Sequence, residues 1–198
     1  MKNKLFLIAL TLLLAISFTG CVSSEAQRLV DPSIVYYVDA GDDRPWELAP
    51  GEAFGTHNSE KDQPFSIDPV TGYKWGWETV GGWVYNEDQG PFYMDSIRTD
   101  EGGEEGKGIT YRFEVENGSY TVKLGFLDFW ANASRFMDVI IEGEVVKSNY
   151  LVAEAEEEWE TTVEITDGQI EIAVVRSAGV TGDDDDPFIN MIMIRNAE

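Results

Sequence analysis

The chain has 198 residues with 37 acidic and 14 basic side chains, and its formal net charge is −23 at pH 7. A charge of this sign and size repels nucleic acid and anionic lipid surfaces, and it excludes both as expected partners. One cysteine excludes a disulfide within the chain, and one histidine with one cysteine cannot make the usual nitrogen and sulfur shell of zinc.

The first 21 residues have the order of an export signal. Lys2 and Lys4 precede the apolar run LFLIALTLLLAISF, and FTGC ends the segment at Cys21. The run is shorter than the roughly 20 residues that a membrane-spanning helix needs, so it indicates a cleaved signal peptide. The ending resembles the lipobox of bacterial lipoproteins. This resemblance implies lipidation at Cys21 and an exported protein that is anchored to the cell membrane or outer envelope.

The rest of the chain divides into a tether and one domain. Residues 22–33, VSSEAQRLVDPS, are mostly polar and have no apolar periodicity, which predicts a tether. Residues 34–198 have the usual size of a single domain and are numerous enough to enclose a sizeable core.

Strand patterns run through this domain. Two strands are predicted in SIVYYVD and near YMDSIRT, and a long loop region separates them. The stretch AEAEEEWE has a helical composition but no apolar face, and we interpret it as a loop or strand edge. The last strand, in PFINMIMI, starts at Pro187, because proline can only open a strand or lie at an edge.

From residue 108 onward, tight turns separate alternating runs. GITYRFEVENGSYTVKLGFL alternates apolar and polar residues on both sides of Asn117-Gly118, which predicts a hairpin. Glu142-Gly143 and Asp167-Gly168 predict two further turns of the same kind. Many short strands with almost no helix predict an all-β fold, an antiparallel β-sandwich.

The aromatic residues form two groups. Phe113, Tyr120, Phe126 and Phe136 occupy alternate strand positions, and we predict that they fill the core. A second group lies in loops or at strand ends beside Gly, Asn and Asp, and comprises Trp75, Trp77, Trp83, Tyr85, Phe92, Tyr93 and Trp130. Rings beside polar side chains suit sugar recognition, since the C–H face of a pyranose stacks on the ring. The alternative is a satellite cluster in which a long loop packs its own rings.

Catalytic and metal-binding motifs are weak. His57 lies in a polar loop, GTHNSEKD, where we expect a solvated or turn-capping role. Glycoside hydrolysis needs only two carboxylates, and 37 acidic residues always supply a pair, so their presence is uninformative. We therefore expect no enzymatic activity. The run GDDDDP, residues 182–187, offers hard oxygen ligands without the spacing of an EF-hand loop, which leaves a structural calcium open.

Several motifs resemble the malectin family of carbohydrate-binding domains. The matching segments are VYYVDAGDD, DSIR, ENGSYTVKLGFLDFWANASRFMDVIIEGEVV and PFINMIMI, and they are most specific over residues 109–147. The middle segment, FGTHNSEKDQPFSIDPVTGYKWGW, departs from animal malectin and is similar to malectin-type modules attached to bacterial glycoside hydrolases. The resemblance implies a galactose-binding-like jelly-roll sandwich that binds glycan without cleaving it.

The resemblance also implies ligand contacts. It places one ring at Trp130, a second at Tyr93, and an aspartate at Asp185, with Asp186 as the alternative one residue away. We add Asn132 as a further hydrogen-bonding side chain. A third ring is expected from one of the tryptophans before Tyr93, namely Trp75, Trp77 or Trp83.

We therefore expect an envelope lipoprotein that binds an oligo- or polysaccharide without an organic cofactor. The acidic surface favours neutral or cationic sugar units. Two alternatives are kept: an adaptor that docks another envelope protein through its aromatic loops, and a glycoside hydrolase that uses loop carboxylates.

Overall fold

The computed structural model describes residues 29–41, 53–60, 62–80, 83–87, 96–100, 108–128, 135–152, 157–179 and 187–197. Within these ranges the chain forms thirteen β-strands and no helix. Accordingly, no helix in the described ranges is long and apolar enough to cross a membrane.

The first seven strands are β1 Tyr36–Asp39, β2 Ser66–Ile67, β3 Lys74–Val80, β4 Trp83–Glu87, β5 Ser96–Asp100, β6 Gly108–Glu114 and β7 Gly118–Phe126. The last six are β8 Phe136–Ile141, β9 Glu144–Leu151, β10 Glu157–Ile165, β11 Gln169–Arg176, β12 Phe188–Ile189 and β13 Met191–Asn196. The strands predicted in SIVYYVD, YMDSIRT and PFINMIMI are confirmed as β1, as β5, and as β12 with β13.

The strands form an antiparallel sandwich of the jelly-roll type. One sheet has the order β1-β13-β7-β10, and the facing sheet has the order β2-β3-β6-β11-β8-β9. A smaller sheet, β12-β5-β4, extends from the chain segment that leads into β13. The predicted all-β fold class is therefore confirmed.

The core lies between the two larger sheets. Leu124 of β7 and Ile172 of β11 belong to one buried cluster that joins both sheets. Of the rings predicted in the core, Phe113 and Phe126 are fully buried and Tyr120 nearly so. Burying a large aliphatic or aromatic side chain contributes about 1.5–3 kcal/mol, so this cluster holds the sheets together.

Phe136 is an exception, and its prediction was wrong. In β8 the buried positions are Met137, Val139 and Ile141, whereas Phe136 is only half-buried on the other face. Successive strand residues point to opposite faces, so Phe136 shares its face with Asp138. The sequence did contain a signal: Asp138 is polar and lies on the same face as Phe136, so that face was the less suitable one for the core.

One of the three predicted hairpin turns is confirmed. Glu142 and Gly143 have φ values of 52° and 76° between β8 and β9, and the flanking residues Ile141 and Glu144 are paired. Positive φ at both turn positions is the geometry that fits the twist of a two-residue hairpin.

The other two turns connect the sheets, and the prediction of hairpins was wrong. Asn117-Gly118 leads from β6, which pairs with β3 and β11, to β7, which pairs with β10 and β13. Asp167-Gly168 leads from β10 back to β11. Alternating runs on both sides of a turn predict two strands, but they do not predict that the strands pair with each other.

Contacts to the domain begin before residue 34. The Phe54 amide donates to the Leu29 carbonyl at 2.9 Å, and the Asp31 amide donates to the Phe54 carbonyl at 3.0 Å. Val30 forms a parallel bridge with Phe54. The last residues of the predicted tether are thus hydrogen-bonded to the domain.

Candidate functional site

One end of the sandwich brings together strand ends from both large sheets. Asp39 at the end of β1 pairs with Met191 at the start of β13, and β7 ends beside them at Phe126. In the facing sheet, Gly108 at the start of β6 pairs with Val175 near the end of β11. We call this region the loop end and define it by Ala40, Asp128, Arg135, Ser177 and Phe188.

Half of the predicted ligand residues fall in segments that begin or end at the loop end. Trp130 and Asn132 lie between Asp128 and Arg135, and Asp185 and Asp186 lie shortly before Phe188. These four residues are outside the described ranges, so their positions stay predictions.

The remaining predicted residues belong to other segments of the chain. Tyr93 lies in the connection from β4 to β5, whose paired ends are Glu87 and Ser96. Tyr93 and Cys21 also lie outside the described residues. Trp83 is the first residue of β4, where its backbone pairs with that of Asp100.

A buried ion pair joins the two strand ends at this site. Arg135 Nη1 donates to Asp128 Oδ1 at 2.9 Å, and the side chains are 7% and 0% exposed. The Arg135 guanidinium also lies 5.6 Å from the ring centroid of Phe188. Arg135 therefore contacts the last described residue after β7 and the residue that opens β12.

Asn190 supports the same region from a fully buried position. Its side-chain oxygen accepts the Leu127 amide at 2.8 Å. Its backbone carbonyl accepts the Ala40 amide at 2.8 Å, and its own amide donates to the Gly125 carbonyl at 3.2 Å. Asn190 thus interrupts the last strand between β12 and β13 and fixes the chain at the ends of β1 and β7.

Trp75 is a core residue, which corrects the expectation that its ring could contact ligand. Its side chain is fully buried. The ring lies nearly parallel to that of Phe113, with centroids 6.4 Å apart, and it lies tilted against Tyr36. Trp77, two residues along β3, is partly buried against the same cluster. Of these two rings, only Trp77 retains surface that a ligand could contact.

A buried carboxylate organises the segment before Trp75. Asp68 Oδ1 accepts bonds from the Ser59 hydroxyl at 2.6 Å and from the Val70 and Thr71 amides at 2.9 Å. Asp68 Oδ2 accepts bonds from the Ser59 amide and, at 3.3 Å, from Trp75 Nε1. Burial alone would raise the pKa of Asp68, but these hydrogen bonds outweigh it and hold the pKa below its ordinary value. Asp68 is therefore a structural anion.

His57 is half-buried and stacks on an aromatic ring, a contact that the predicted solvated or turn-capping role did not include. Its ring centroid lies 3.6 Å from that of Tyr73, and Tyr36 approaches it edge-on at 5.4 Å. Its Nδ1 is 2.9 Å from the hydroxyl of the exposed Thr56. Desolvation lowers the pKa of His57 more than the nearby Glu116 and Glu114 raise it. The described contacts of this ring are those of a packed side chain.

Asp39 and Asp62 place negative charge beside Tyr111. Asp62 Oδ2 accepts the Gly41 amide at 2.8 Å and the Tyr111 hydroxyl at 3.1 Å. Burial first, and then Asp62 and Asp39, raise the pKa of Tyr111 well above its usual value. Across the described ranges, no group of three or more His, Cys, Asp or Glu side chains could hold a metal ion. The acidic run 182–187, where calcium was left open, falls outside those ranges apart from Pro187.

Sequence reasoning missed the roles of Asp128, Arg135 and Asn190. A signal was present, since Asp128 and Arg135 are opposite charges at the two ends of a segment that separates apolar strands. Charged residues are rarely fully buried unless they are paired. The sequence offered no comparable signal for Asn190, because its partners come from distant parts of the chain.

A scan against protein-family models gives no match for this chain, and a comparison with curated proteins gives none either. Similar folds occur among solved structures. The extracellular domain of ANXUR1 from Arabidopsis thaliana has a TM-score of 0.53 at 12% identity, over 81% of this chain and 47% of that chain. A structure of the plant peptide RALF23 in complex with FER and LLG2 has a TM-score of 0.51 at 16% identity, over 84% of this chain and 41% of that chain.

A bacterial enzyme contains a similar fold. The β-glucuronidase of Bacteroides uniformis has a TM-score of 0.51 at 17% identity, over 82% of this chain and 18% of that chain. The chain thus spans less than half of the length of each of these three proteins. At these identities the likeness establishes the shared β-sandwich fold.

Proposed function

We propose that this domain binds carbohydrate without cleaving it, at the loop end of the sandwich. One observation carries the proposal: Arg135 contacts both Asp128 and Phe188, the described residues next to the segments that contain Trp130, Asn132, Asp185 and Asp186. A rigid scaffold that brings several loops to one end is a common basis for a binding site.

The proposed ligand contacts divide into rings and polar groups. Trp130 and Tyr93 stack on sugar faces, and Trp77 and Trp83 are the remaining candidates for a third ring. Asp185, with Asp186 as the alternative, and Asn132 form hydrogen bonds with sugar hydroxyls. Each well-placed ring contributes roughly 1 kcal/mol beyond the area that it buries.

Charge and fold both support this choice of ligand. A net charge of −23 disfavours anionic polysaccharides and favours neutral or cationic sugar units. The likeness to part of a β-glucuronidase is consistent with a module that serves carbohydrate recognition.

We also propose that the protein is an exported lipoprotein, anchored through lipid on Cys21. Among the described residues, the chain enters β1 at Tyr36 and reaches the loop end at Asp39. The end of the described chain that is nearer to Cys21 therefore lies away from the loop end. Labelling of cells with a radioactive fatty acid tests this proposal: label should enter the wild type and be absent from Cys21→Ser.

A glycan array tests the carbohydrate proposal. The protein that starts at residue 22 should bind a defined set of neutral or amino sugars, and Trp130→Ala should lower the affinity about tenfold or more, which corresponds to about 1.4 kcal/mol. Phe65→Ala is the matched control, since Phe65 lies beside Lys74 near the β2–β3 edge. Equal affinities of the wild type and Trp130→Ala would remove Trp130 from the site.

A protein adaptor is the second candidate. It is favoured by the likeness to a structure determined as a complex of a peptide with FER and LLG2. A blank glycan array, together with capture of one envelope protein that Trp130→Ala no longer captures, would support the adaptor. Release of reducing ends from a polysaccharide would instead support the hydrolase.

A further inference from the structure

We infer that the side of the sandwich between β9 and β10 is a second binding site, and that it takes the protonated amine of an amino sugar. The site is defined by Lys147, Tyr150, Glu157 and Trp159, and we call it the lateral site. None of these four residues is among the ligand residues proposed above. The choice of a sugar as the carrier of the amine rests on the proposed function, whereas the amine itself follows from the geometry.

The lateral site lies where the two large sheets end. β9 is the last strand of the six-stranded sheet, and β10 is the last strand of the four-stranded sheet. Side chains join these two strands: the Tyr150 hydroxyl donates to Glu157 Oε2, and the Lys147 ammonium lies over the Trp159 ring. Within the described ranges no further strand lies outside β9 or β10. All four residues are partly exposed, so a ligand that approaches this side meets them directly.

Two rings converge on one ammonium in the lateral site. Lys147 Nζ lies 4.7 Å from the ring centroid of Tyr150 and 5.1 Å from that of Trp159. Aromatic faces attract cations within about 6 Å of the ring centroid. The same point therefore suits the ammonium of a ligand, and Lys147 occupies that point in the structure. The attraction between an exposed cation and a ring is weak, so a ligand ammonium with further contacts to the site displaces Lys147.

The backbone of β9 is shaped to bring these groups together. In a regular strand, residues three apart point to opposite faces, yet Lys147 and Tyr150 reach the same point. The pairing with β8 shifts in register on both sides of Val139, the partner of Lys147. Asn149 has a φ of 50°, and Asp138 Oδ1 accepts its amide at 2.9 Å. Bulges re-aim side chains and are enriched beside functional sites, so the irregular backbone favours a built site over a chance contact.

The indole of Trp159 favours a sugar as the carrier of the amine. Its Nε1 is the one buried side-chain donor in the described part of the chain that has no hydrogen-bond partner. A buried donor without an acceptor is costly, and native structures retain few of them. An amino sugar that displaces Lys147 brings hydroxyl oxygens close to its ammonium, and these are suitable acceptors. The Glu157 carboxylate and the net charge of −23 favour a cationic sugar unit over a neutral or anionic one.

A matched pair of lysine variants tests the site. Lys147→Met removes the ammonium between the rings, whereas Lys123→Met removes an ammonium from the exposed pair with Glu158, so both variants change the net charge equally. We expect Lys147→Met to bind a tetramer of glucosamine about threefold more tightly than Lys123→Met does, because the ligand no longer competes with a cation held by two rings. Titration calorimetry at low salt measures both affinities. The N-acetylated tetramer, which has no free amine, should show no such difference.

A spectroscopic readout locates the binding. In proton–nitrogen correlation spectra, the indole signal of Trp159 is identified by its loss in Trp159→Phe. Addition of the glucosamine tetramer should shift this signal, and at equal concentration the shift should be larger in Lys147→Met than in Lys123→Met. A lysine peptide that shifts the signal at lower concentration than the tetramer does would overturn the sugar as the carrier of the amine.

The readouts separate failure of this inference from failure of the proposed function. If the tetramer binds without shifting the Trp159 signal, and both lysine variants bind it equally, the lateral site is overturned while carbohydrate binding stands. If the wild type binds no glycan on the array, the proposed function fails, and n-butylamine becomes the probe because it is an amine without a sugar. A Trp159 shift with n-butylamine that is larger in Lys147→Met than in Lys123→Met would then support the amine site, and an unmoved signal would overturn it.

Discussion

His57 stacks on Tyr73 with 3.6 Å between ring centroids and an interplanar angle of 20°. This packing desolvates the imidazole and lowers its pKa below the ordinary value of 6.5. The unfolded chain therefore binds a proton at a higher pH than the folded chain does. Linkage then requires that the contribution of His57 to stability is complete above about pH 6.5 and is lost as the pH falls through the folded-state pKa.

We expect His57→Phe to reduce this pH dependence, because phenylalanine can stack on Tyr73 but does not titrate. Urea unfolding of both proteins between pH 8 and pH 5 measures it, and the wild type should lose more stability over that interval. The carboxylates of the protein titrate in both the wild type and the variant, so their contributions to the pH dependence cancel in the comparison. If the free energies of unfolding of the wild type and His57→Phe changed equally between pH 8 and pH 5, the lowered pKa of His57 would be contradicted.

The two kinds of turn predict different responses to alanine. Gly143 has a φ of 76° in the β8–β9 hairpin, a conformation that costs an L-residue about 1–2 kcal/mol. Gly118 at the sheet-crossing connection has no such φ, and a methyl group there would meet only Tyr120 Cε2 at 3.9 Å. Gly143→Ala should therefore destabilise the protein by about 1–2 kcal/mol, whereas Gly118→Ala should change stability little or increase it. Thermal unfolding measures both, and equal losses would contradict the difference in backbone conformation between the two glycines.

The contrast between these turns shows where sequence reasoning succeeded and where it failed. Alternation predicted that the runs on both sides of Asn117-Gly118 are strands, because alternation is a local property of the chain. Whether they pair is decided by partners elsewhere: Phe113 of β6 faces Ile170, and Tyr120 of β7 faces Val163. The residues of a turn alone therefore do not predict whether the two flanking strands pair with each other.

The candidate site shows the same limit. Trp75 and Trp77 are two residues apart on β3, and the sequence made them equal candidates for a ligand ring. In the structure Trp75 is fully buried, whereas Trp77 is only partly buried. Their difference depends on Asp68 and Phe113, which approach Trp75 from other segments. The ion pair between Asp128 and Arg135 would have been easier to predict, since the two residues are only seven positions apart in the chain.

Asp68 should be among the most sensitive polar positions. Asp68→Ala would leave the Ser59, Val70 and Thr71 donors without their acceptor, and an unsatisfied buried donor costs about 1–3 kcal/mol, so we expect a loss of at least about 2 kcal/mol in urea unfolding. Asp31, whose bonds from Ser33 are exposed to solvent, is the control, and Asp31→Ala should have a small effect.

The pH dependence of the Asp68 contribution follows from its lowered pKa. The contribution is present above the ordinary carboxyl pKa of 3.8 and is lost as the pH falls through the lower folded-state value. The difference between wild type and Asp68→Ala should therefore persist at pH 5. A difference that vanishes between pH 7 and pH 5 would show that Asp68 is not held as an anion.

Trp75 offers the last test, because its burial separates a structural ring from a ligand ring. Trp75→Ala would leave a large cavity beside Phe113 and remove a donor to Asp68, with an expected loss of about 3–5 kcal/mol. Trp75→Phe keeps most of the ring and loses the 3.3 Å bond from Nε1, so a smaller loss of about 1–2 kcal/mol is expected. Because the Trp75 ring has no exposed surface, Trp75→Phe should bind glycan with wild-type affinity at temperatures where it is folded, whereas Trp130→Ala should not. Weaker binding by folded Trp75→Phe, measured by titration calorimetry beside its unfolding curve, would contradict the assignment of Trp75 to a purely structural role.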